Sequence, residues 1–451
     1  MKDVEIKMPS AVDKIIKKLE ESGYEAYAVG GCVRDSVMDK EPSDWDICTS
    51  SLPEETLECL GAENIIKNGL KHGTVTVRIE EENYEITTFR TDGEYLDNRH
   101  PESVTFVRSL KEDLARRDFT MNALAYSKNR GLQDYFDGLT DIQKGIIRCV
   151  GSPDRRFGED ALRILRALRF ASVLGFEIEK KTAKSIHKNA YLLKNISVER
   201  IMSEFVRILC GKNVGKVLLE YADVVGEILP EVRKMTGFEQ HNPHHVYDVW
   251  THTVKVIAAV KPTKTLRLAA LFHDMGKPSA FKMDEKGVGH FKGHPEISEK
   301  IAERELKRLK SDNKTLKDVC KLVKYHDVRP YVNKSVRRYI ANVGMDMFED
   351  MLDLKRADTK AQNPVYLEET LKYIDFLEEM YRTEKEKNND FTLKTLKING
   401  EDLKKMGFSD GRAIGYCLNS LLLQVIDGEM ENNREILLEY AESMNDKGIN
   451  F

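Results

Sequence analysis

Three shortages narrow what this chain can be. It has no paired-cysteine pattern: Cys32, Cys48, Cys59, Cys149, Cys210, Cys320 and Cys417 are odd in number, scattered and free of any C-x-x-C. That excludes a zinc ribbon and a disulfide framework, and reads as reduced, mostly structural thiols. No stretch approaches the roughly 20 apolar residues that a membrane span needs. The N-terminal MKDVEIKMPSAVDKIIKKLEESG has an amphipathic helix pattern without the apolar core of a signal peptide, so a cytoplasmic protein with no membrane partner is expected. Surplus positive charge is also missing: 71 Lys and Arg stand against 75 Asp and Glu, for a net charge of −4. Nucleic acid, if bound, must therefore meet local basic patches.

What remains is a long, charged, globular composition. At 451 residues, 41% hydrophobic and 32% charged, the chain has room for roughly two to four domains with their own cores. One stretch, Tyr27 to Thr49, organises the first part. An apolar strand pattern meets Gly30 and Gly31, a short helix-like segment carries Arg34, and Asp44 and Asp46 bracket Trp45 before Ile47. Residues i and i+2 of a strand share a face, which would set the two carboxylates side by side. Such oxygens suit Mg²⁺, and two glycines at a helix start would expose backbone N–H groups to phosphate. Carboxylates for metal beside a phosphate cradle describe phosphoryl or nucleotidyl transfer. The order Gly-Gly, about a dozen residues, Asp-x-Asp resembles the signature of the polymerase-β nucleotidyltransferase superfamily.

Further along, TVTVRI (Thr74 to Ile79) and YEITTF (Tyr84 to Phe89) read as a hairpin. Glu85 is either a third carboxylate facing Asp44 and Asp46 or an exposed strand glutamate. Arg90 to Val107 is rich in turn formers and long for a plain connection, as lids often are. In LARRDFTMNALAY, Arg116 and Arg117 can neutralise a triphosphate, and Asp118 with Asn122 could hold a ribose hydroxyl. In RRFGEDALRILRALRF, helical spacing lines up Asp160, Arg163, Arg166 and Arg169 at every third residue. A solvated basic face is one reading. The chemical one is sharper. Cytosine and adenine each place an amino donor beside a ring-nitrogen acceptor, and uracil and guanine invert that pattern. A carboxylate at Asp160 with a guanidinium at Arg163 would accept C and A, and Arg166 and Arg169 would lie nearer the triphosphate.

GGCVRD, DWD, LARRDFTMNA, the DYFDGLTD passage and EDALRILRALRF together resemble the class II tRNA nucleotidyltransferases and poly(A) polymerases of bacteria, and most closely the CCA-adding enzymes. The likeness covers about residues 20 to 210, in family order. It implies that Asp44 and Asp46 bind the catalytic metals, that Gly31, Arg34 and Arg117 hold the incoming nucleotide, and that Asp160, Arg163, Arg166 and Arg169 select C and then A. A helix over Ile196 to Leu209, capped by Ser197, resembles the last family motif.

Eight of the eleven histidines fall between His241 and His326, which suggests a second metal site. His252, His273 with Asp274, His294, His326 and Asp358 follow one another at intervals of about 20 to 30 residues on what read as consecutive helices. Imidazoles and carboxylates suit a transition-type divalent ion such as Mn²⁺, Ni²⁺, Co²⁺ or Fe²⁺, and a bridging aspartate suits two. Asp353 rivals Asp358 for the last place. The series resembles the HD phosphohydrolase domain, with HDMGK close to the usual HDxGK; an active site and a scaffold both fit. In the tail, Gly407, Gly411 and Gly415 beside Lys404, Lys405 and Arg412 either let helix N-termini approach phosphates or serve as caps. The passage resembles the tail of bacterial CCA-adding enzymes, which holds the tRNA elbow.

The expected fold is α+β: a mixed-sheet nucleotidyltransferase head over 1–150, then an all-α neck over 151–237, an HD domain over 238–365 and a tail over 366–451. The resemblance implies addition of C, C and A to tRNA from CTP and ATP with Mg²⁺, plus a metal-dependent phosphohydrolase. An A-adding enzyme, a poly(A) polymerase, and an HD-type hydrolase with the head as an RNA-binding module are the alternatives. The sequence leaves the oligomeric state open.

Overall fold

The computed structural model describes residues 5–61, 65–66, 73–79, 82–93, 103–387, 391–408 and 410–446. The chain divides into two compact units, Met1–Pro230 and Glu231–Phe451. Among the described residues no helix is long and apolar enough to cross a membrane.

The first unit is built on one strand. β1 (Ala26–Val29) is buried at all four positions, as its unbroken AYAV run requires. It pairs antiparallel with β2 (Ile47–Thr49) on one side. The short β3 (Ile65–Ile66), β4 (Thr74–Ile79) and β5 (Glu82–Thr88) continue that side, with β2 and β5 running parallel. β4 and β5 form the expected antiparallel pair, extended by Asn83 and Glu82 opposite Arg78 and Ile79. β6 (Arg90–Asp92) and β7 (Val104–Phe106) form a separate ribbon, so the expected lid is paired at both ends and residues 94–102 lie outside the described residues. β8 (Leu124–Ser127) and β9 (Gly131–Asp134) complete a mixed seven-stranded sheet in the order β3-β4-β5-β2-β1-β8-β9. The helix Ser10–Glu21 buries Val12, Ile15, Ile16 and Leu19, the spacing of one apolar stripe. The DYFDGLTD passage is a brace. Asp134 accepts from the backbone N–H groups of Gly138 and Leu139, and Asp141 accepts from the Thr120 hydroxyl at 2.7 Å.

Helices follow, but not quite as expected. The arginine stretch is two helices, Pro153–Glu159 and Leu162–Leu174, with Asp160 in extended backbone between them. A short parallel pair, Ile146–Ile147 with Glu177–Ile178, interrupts the all-α expectation, as does the Lys282–Met283 and Gly289–His290 pair in the second unit. The helix Val198–Leu209 has Ser197 at its N-cap position, yet the Ser197 side chain makes no capping bond.

The second unit sets its histidines at helix starts and ends. Asp248 caps the helix Val249–Ala259 by accepting from Trp250 and Thr251 N–H, and His252 lies one turn in. His273 and His326 end the helices Lys264–Phe272 and Asn313–Tyr325. His294 starts the helix His294–Arg308, and Asp358 lies near the end of Phe348–Lys360. The tail closes on its own core of Leu396, Ile398, Leu403, Phe408, Cys417, Leu421, Leu437 and Ala441.

Gly276 of HDMGK has a steric reason. A Cβ there would lie 2.5 Å from the His294 carbonyl oxygen and 2.8 Å from the Ser298 nitrogen, while its own N–H donates to the Ser298 hydroxyl at 2.8 Å. Gly276→Ala is expected to push the two helix ends apart and cost about 1–3 kcal/mol. The chain's two tryptophans make this readable: Trp250 is buried in the second unit, so in a Trp45→Phe background its fluorescence should report a lower urea midpoint. An unchanged midpoint would mean that the backbone relaxes around the methyl group.

Candidate functional site

At the end of β1 the chain turns at Gly30, with φ +83°, into the helix Gly31–Val37. A Cβ on Gly30 would sit 2.8 Å from Arg117 Nη1, so the residue is needed for close approach as well as for its backbone angle. Asp44 and Asp46 are not on β2, as the alternation argument expects, but in the segment just before it; the Asp46 carbonyl accepts from Val29 N–H at 3.0 Å. Both side chains are exposed. Enough protein still surrounds Asp46 that desolvation, then Asp44 and Glu85, raise its pKa against the lowering effect of Arg117. Glu85, exposed on β5, therefore acts on the same carboxylate.

Arg34 donates to Asn122 Oδ1 at 2.7 Å, and Asn122 Nδ2 donates to Asp118 Oδ1 at 3.0 Å. Asp118 also accepts from Phe119 N–H and, on Oδ2, from Arg166 Nε at 2.8 Å. Burial opposes this charge, but the Arg166 guanidinium and the Asn122 amide outweigh it and bring the carboxyl down to about 2. Both oxygens are thus engaged, so Asp118 ties the site together and is not presented as a free ribose ligand. Arg116 turns away from this group to Asp113, at 2.8 Å. Its carbonyl accepts from Arg156 and Arg163.

The arginine stripe is half-buried and partnered, which replaces the solvated-face reading. Arg163 donates to Glu159 at 2.7 Å and to the Arg116 carbonyl at 3.0 Å. Arg169 pairs with Glu204 at 2.8 Å. Guanidinium carbons of Arg34, Arg166 and Arg169 lie 5.0, 5.6 and 4.2 Å from the centroid of the Phe170 ring. Asp160 is held by Arg200 at 2.8 Å and accepts from Leu162 N–H; it does not pair with Arg163. Arg200 and Glu204 were missed from the sequence. Their i, i+4 spacing looks like an ordinary surface pair.

In the second unit four of the expected ligands, His252, His273, His294 and His326, converge on a fifth, Asp274, and Asp358 joins them through His252. Asp274 Oδ2 lies 3.3 Å from His252 Nε2 and 3.2 Å from His273 Nε2. Its Oδ1 lies 3.3 Å from His294 Nε2 and 3.8 Å from His326 Nε2. Asp358 Oδ1 approaches His252 Nε2 at 3.0 Å, whereas Asp353 accepts from Lys261 N–H elsewhere. Two triads, His252–His273–Asp274 and Asp274–His294–His326, each gather donor atoms within 4.8 Å; among the described residues no other such group exists, so the Asp44, Asp46 and Glu85 set is looser.

Each imidazole is aimed by its other nitrogen. The Nδ1 atoms of His252, His273, His294 and His326 face the carbonyls of Ala361, Ala270, Phe291 and Val323 at 3.2, 2.7, 2.9 and 2.7 Å. That fixes the Nδ1–H tautomer and leaves Nε2 lone pairs pointing inward. His252 Nε2, His273 Nε2 and Asp274 Oδ2 are buried without an aligned hydrogen bond, the signature of a cage shaped for cations. Burial lowers the His252 pKa, but the hydrogen bonds and charges of Asp274 and Asp358 overcome it and raise it to about 9. Lys277, also missed, bridges Asp274 at 2.8 Å and Gln240 at 2.9 Å. A cavity of about 680 Å³ opens over this cage.

In the tail, Lys404 pairs with Glu401 at 2.6 Å and Arg412 lies 3.7 Å from Asp410. Asp410 already caps the helix Gly411–Asp427.

Residues 26–148 match the Poly A polymerase head domain family, 175–235 a probable RNA- and SrmB-binding site of polymerase A, and 291–441 the tRNA nucleotidyltransferase domain 2 family. The chain is 36% identical over 440 residues to the CCA-adding enzyme of Limosilactobacillus reuteri (strain DSM 20016), covering 96% of each. It is 33% identical over 446 residues to that of Ligilactobacillus salivarius (strain UCC118), covering 95% of each. A crystal structure of the Bacillus stearothermophilus CCA-adding enzyme in complex with CTP superposes with a TM-score of 0.72 at 30% identity, covering 96% of this chain and 97% of that one. With relatives alike over nearly their whole length, this chain belongs to the CCA-adding enzymes, the nucleotidyltransferases of the tRNA 3′ end.

Proposed function

We propose that the first unit adds C, C and A to the 3′ end of tRNA from CTP and ATP, with Asp44 and Asp46 holding the Mg²⁺ ions of a two-metal transfer, in the cytoplasm. The observation that carries this reading is the meeting of Arg34, Arg117 and the Asp118–Asn122–Arg166 cluster beside Asp46 at the end of β1. The tRNA 3′-hydroxyl attacks the α-phosphorus, an O3′–P bond forms, the bond to the β-phosphate bridge breaks, and pyrophosphate leaves. Mg²⁺ would supply charge neutralisation on the phosphates and acidify the hydroxyl. The chain's part is to position. Arg117 and Arg34 face the triphosphate. Asp160, anchored by Arg200, keeps lone pairs for the amino group of C or A. Arg163 reaches the ring nitrogen by giving up its Arg116 carbonyl contact. Lys404, Lys405 and Arg412 meet the tRNA elbow. The domain limits are those expected from the sequence: 1–150, 151–237, 238–365 and 366–451.

For the second unit the reading is a transition-metal phosphohydrolase of HD type, supported by the convergence of four histidines on Asp274, with Asp358 against His252. A tRNA end damaged to a 2′,3′-cyclic phosphate has no free 3′-hydroxyl to extend. Water adding to phosphorus, with the P–O3′ bond broken and the proton passed to O3′, leaves a 2′-phosphate. The 3′-hydroxyl is then free, and a second water, breaking the P–O2′ bond with its proton passed to O2′, releases inorganic phosphate and restores the 2′-hydroxyl.

Three outcomes are expected. Asp44→Ala or Asp46→Ala should abolish addition to tRNA transcripts lacking CCA while tRNA binding persists; addition within about tenfold of wild type in Mg²⁺ would point to other carboxylates. Addition of A alone, on transcripts ending in CC, would make the chain an A-adding enzyme. Asp160→Ala should weaken discrimination against UTP and GTP by about 1–3 kcal/mol, measured as the ratio of kcat/KM values. Slowing of all four nucleotides alike would refute the base-reading role. His273→Ala combined with Asp274→Ala should remove bound Mn²⁺ or Ni²⁺, by elemental analysis, and stop phosphate release from 2′-AMP, while CCA addition continues. A wild-type chain that binds neither metal would make the cage a structural body.

A further inference from the structure

Beside the histidine cage stands an aromatic feature that neither reaction above uses. Five residues past His326 the chain presents Tyr331, whose side chain is 70% exposed. It is not a loose surface ring. Tyr331 packs on Tyr373 with centroids 5.2 Å apart, and the Tyr373 hydroxyl donates to the Pro330 carbonyl at 3.1 Å, so the segment is pinned from behind. Tyr373 shares a cleft with Arg329, His326 and Asp358, and Val328 and Arg329 line the main cavity. The ring that backs Tyr331 thus lines a cleft sharing His326, Asp327, Arg329 and Asp358 with the cage cavity.

Once cations offset the cage's own carboxylates, the basic side chains at the cavity mouth outnumber the two carboxylates that remain, Glu296 and Asp327. Lys292, Lys324 and Arg329 line the cavity. Among the described residues neither Lys292 nor Arg329 has an ion-pair partner, while Lys324 reaches Glu299 at 3.3 Å. Two of the cavity's carboxylates, Asp274 and Asp358, face the cage and would be offset by cations there. An aromatic platform beside unpaired basic side chains is how single-stranded nucleic acid is held without base pairing: phosphates meet the cations and a base lies on the ring. A free mononucleotide would fill the cavity and leave the ring bare. An RNA end would use both.

We propose that Tyr331, backed by Tyr373 and flanked by Arg329, is a nucleobase-stacking subsite that makes the cage select a single-stranded RNA 3′ end carrying a terminal phosphate over free nucleotides. This rests on the hydrolase reading of the same cage. The reaction is the one balanced above: one water consumed per P–O bond broken, with the proton going to the departing ribose oxygen. Stacking is equal in ground and transition states, so it acts through KM.

The test uses the full chain loaded with Mn²⁺, with a hexanucleotide RNA ending in a 2′,3′-cyclic phosphate set against 2′,3′-cAMP. Wild type should show the higher kcat/KM on the RNA. Tyr331→Ala should lower that value about tenfold, mainly through KM, and leave 2′,3′-cAMP hydrolysis and bound metal unchanged. Tyr331→Phe, which keeps the ring, should behave as wild type. A Tyr331→Ala variant with unaltered RNA kinetics, or with both substrates slowed alike, would overturn the subsite while leaving the hydrolase intact. If wild type hydrolyses neither compound, the hydrolase reading itself fails and the subsite with it. Retained RNA hydrolysis by Tyr331→Ala, with loss of a protein bound at that ring, would assign the platform to a protein partner and also overturn the proposal.

Discussion

The first unit's site depends on one buried negative charge. Asp118 sits where three segments meet: the helix after Gly30, the Arg117–Asn122 turn, and the helix Leu162–Leu174. A carboxylate taken out of water at that point is tolerable only if its lone pairs are filled and a cation lies against it. Arg166 supplies the charge, and Asn122 and the Phe119 N–H fill the rest. Asn122 then passes the constraint to Arg34, whose guanidinium lies over Phe170. Arg117 is thereby held against a residue without a side chain, Gly30. Arg166 thus satisfies Asp118, and Arg34 and Arg117 are left at the end of β1.

Much of this was legible because the chemistry lies in short local words. Gly-Gly at a strand end, the aspartate pair and the RRD turn are read without knowing the fold, and the fold leaves them close to one another. Asp160 shows where periodicity alone misleads. A three-residue spacing suggested one continuous helix, yet an aspartate just before an apolar run is also a helix-start signal. The structure takes the second option: the backbone breaks, and Asp160 accepts from Leu162 N–H while Arg200 reaches it from another helix. Arg200 and Glu204 were illegible for a related reason. Sequence shows their spacing, but only packing shows that they face Asp160 and Arg169 instead of water.

The histidine cage was legible as a ligand set because its members recur at intervals of about 20 to 30 residues, on or at the ends of five successive segments of the chain. What no sequence shows is which imidazole nitrogen faces inward. That is settled by carbonyls left over at helix ends: His273 and His326 each turn Nδ1 toward the carbonyl three residues back, where the helix stops. His252 uses the Ala361 carbonyl, more than a hundred residues away in sequence.

The two carboxylate centres proposed to hold cations are built in opposite ways. Asp44 and Asp46 are exposed, lie outside regular structure, and form no tight triad with Glu85. Mg²⁺ gives up its waters reluctantly and commonly completes its shell with substrate phosphates, so an open pair suits the role proposed for Asp44 and Asp46. Asp274 is the reverse: buried, ringed by four imidazoles already locked in tautomer and direction, with unsatisfied atoms turned inward. A cage of that kind loses little freedom on taking up an imidazole-seeking ion, and it selects for one that stays. On the proposed reading, turnover at the first centre would call for weak, substrate-assisted binding, and hydrolysis at the second would call for a resident ion. The difference in burial between Asp46 and Asp274 is enough to separate them.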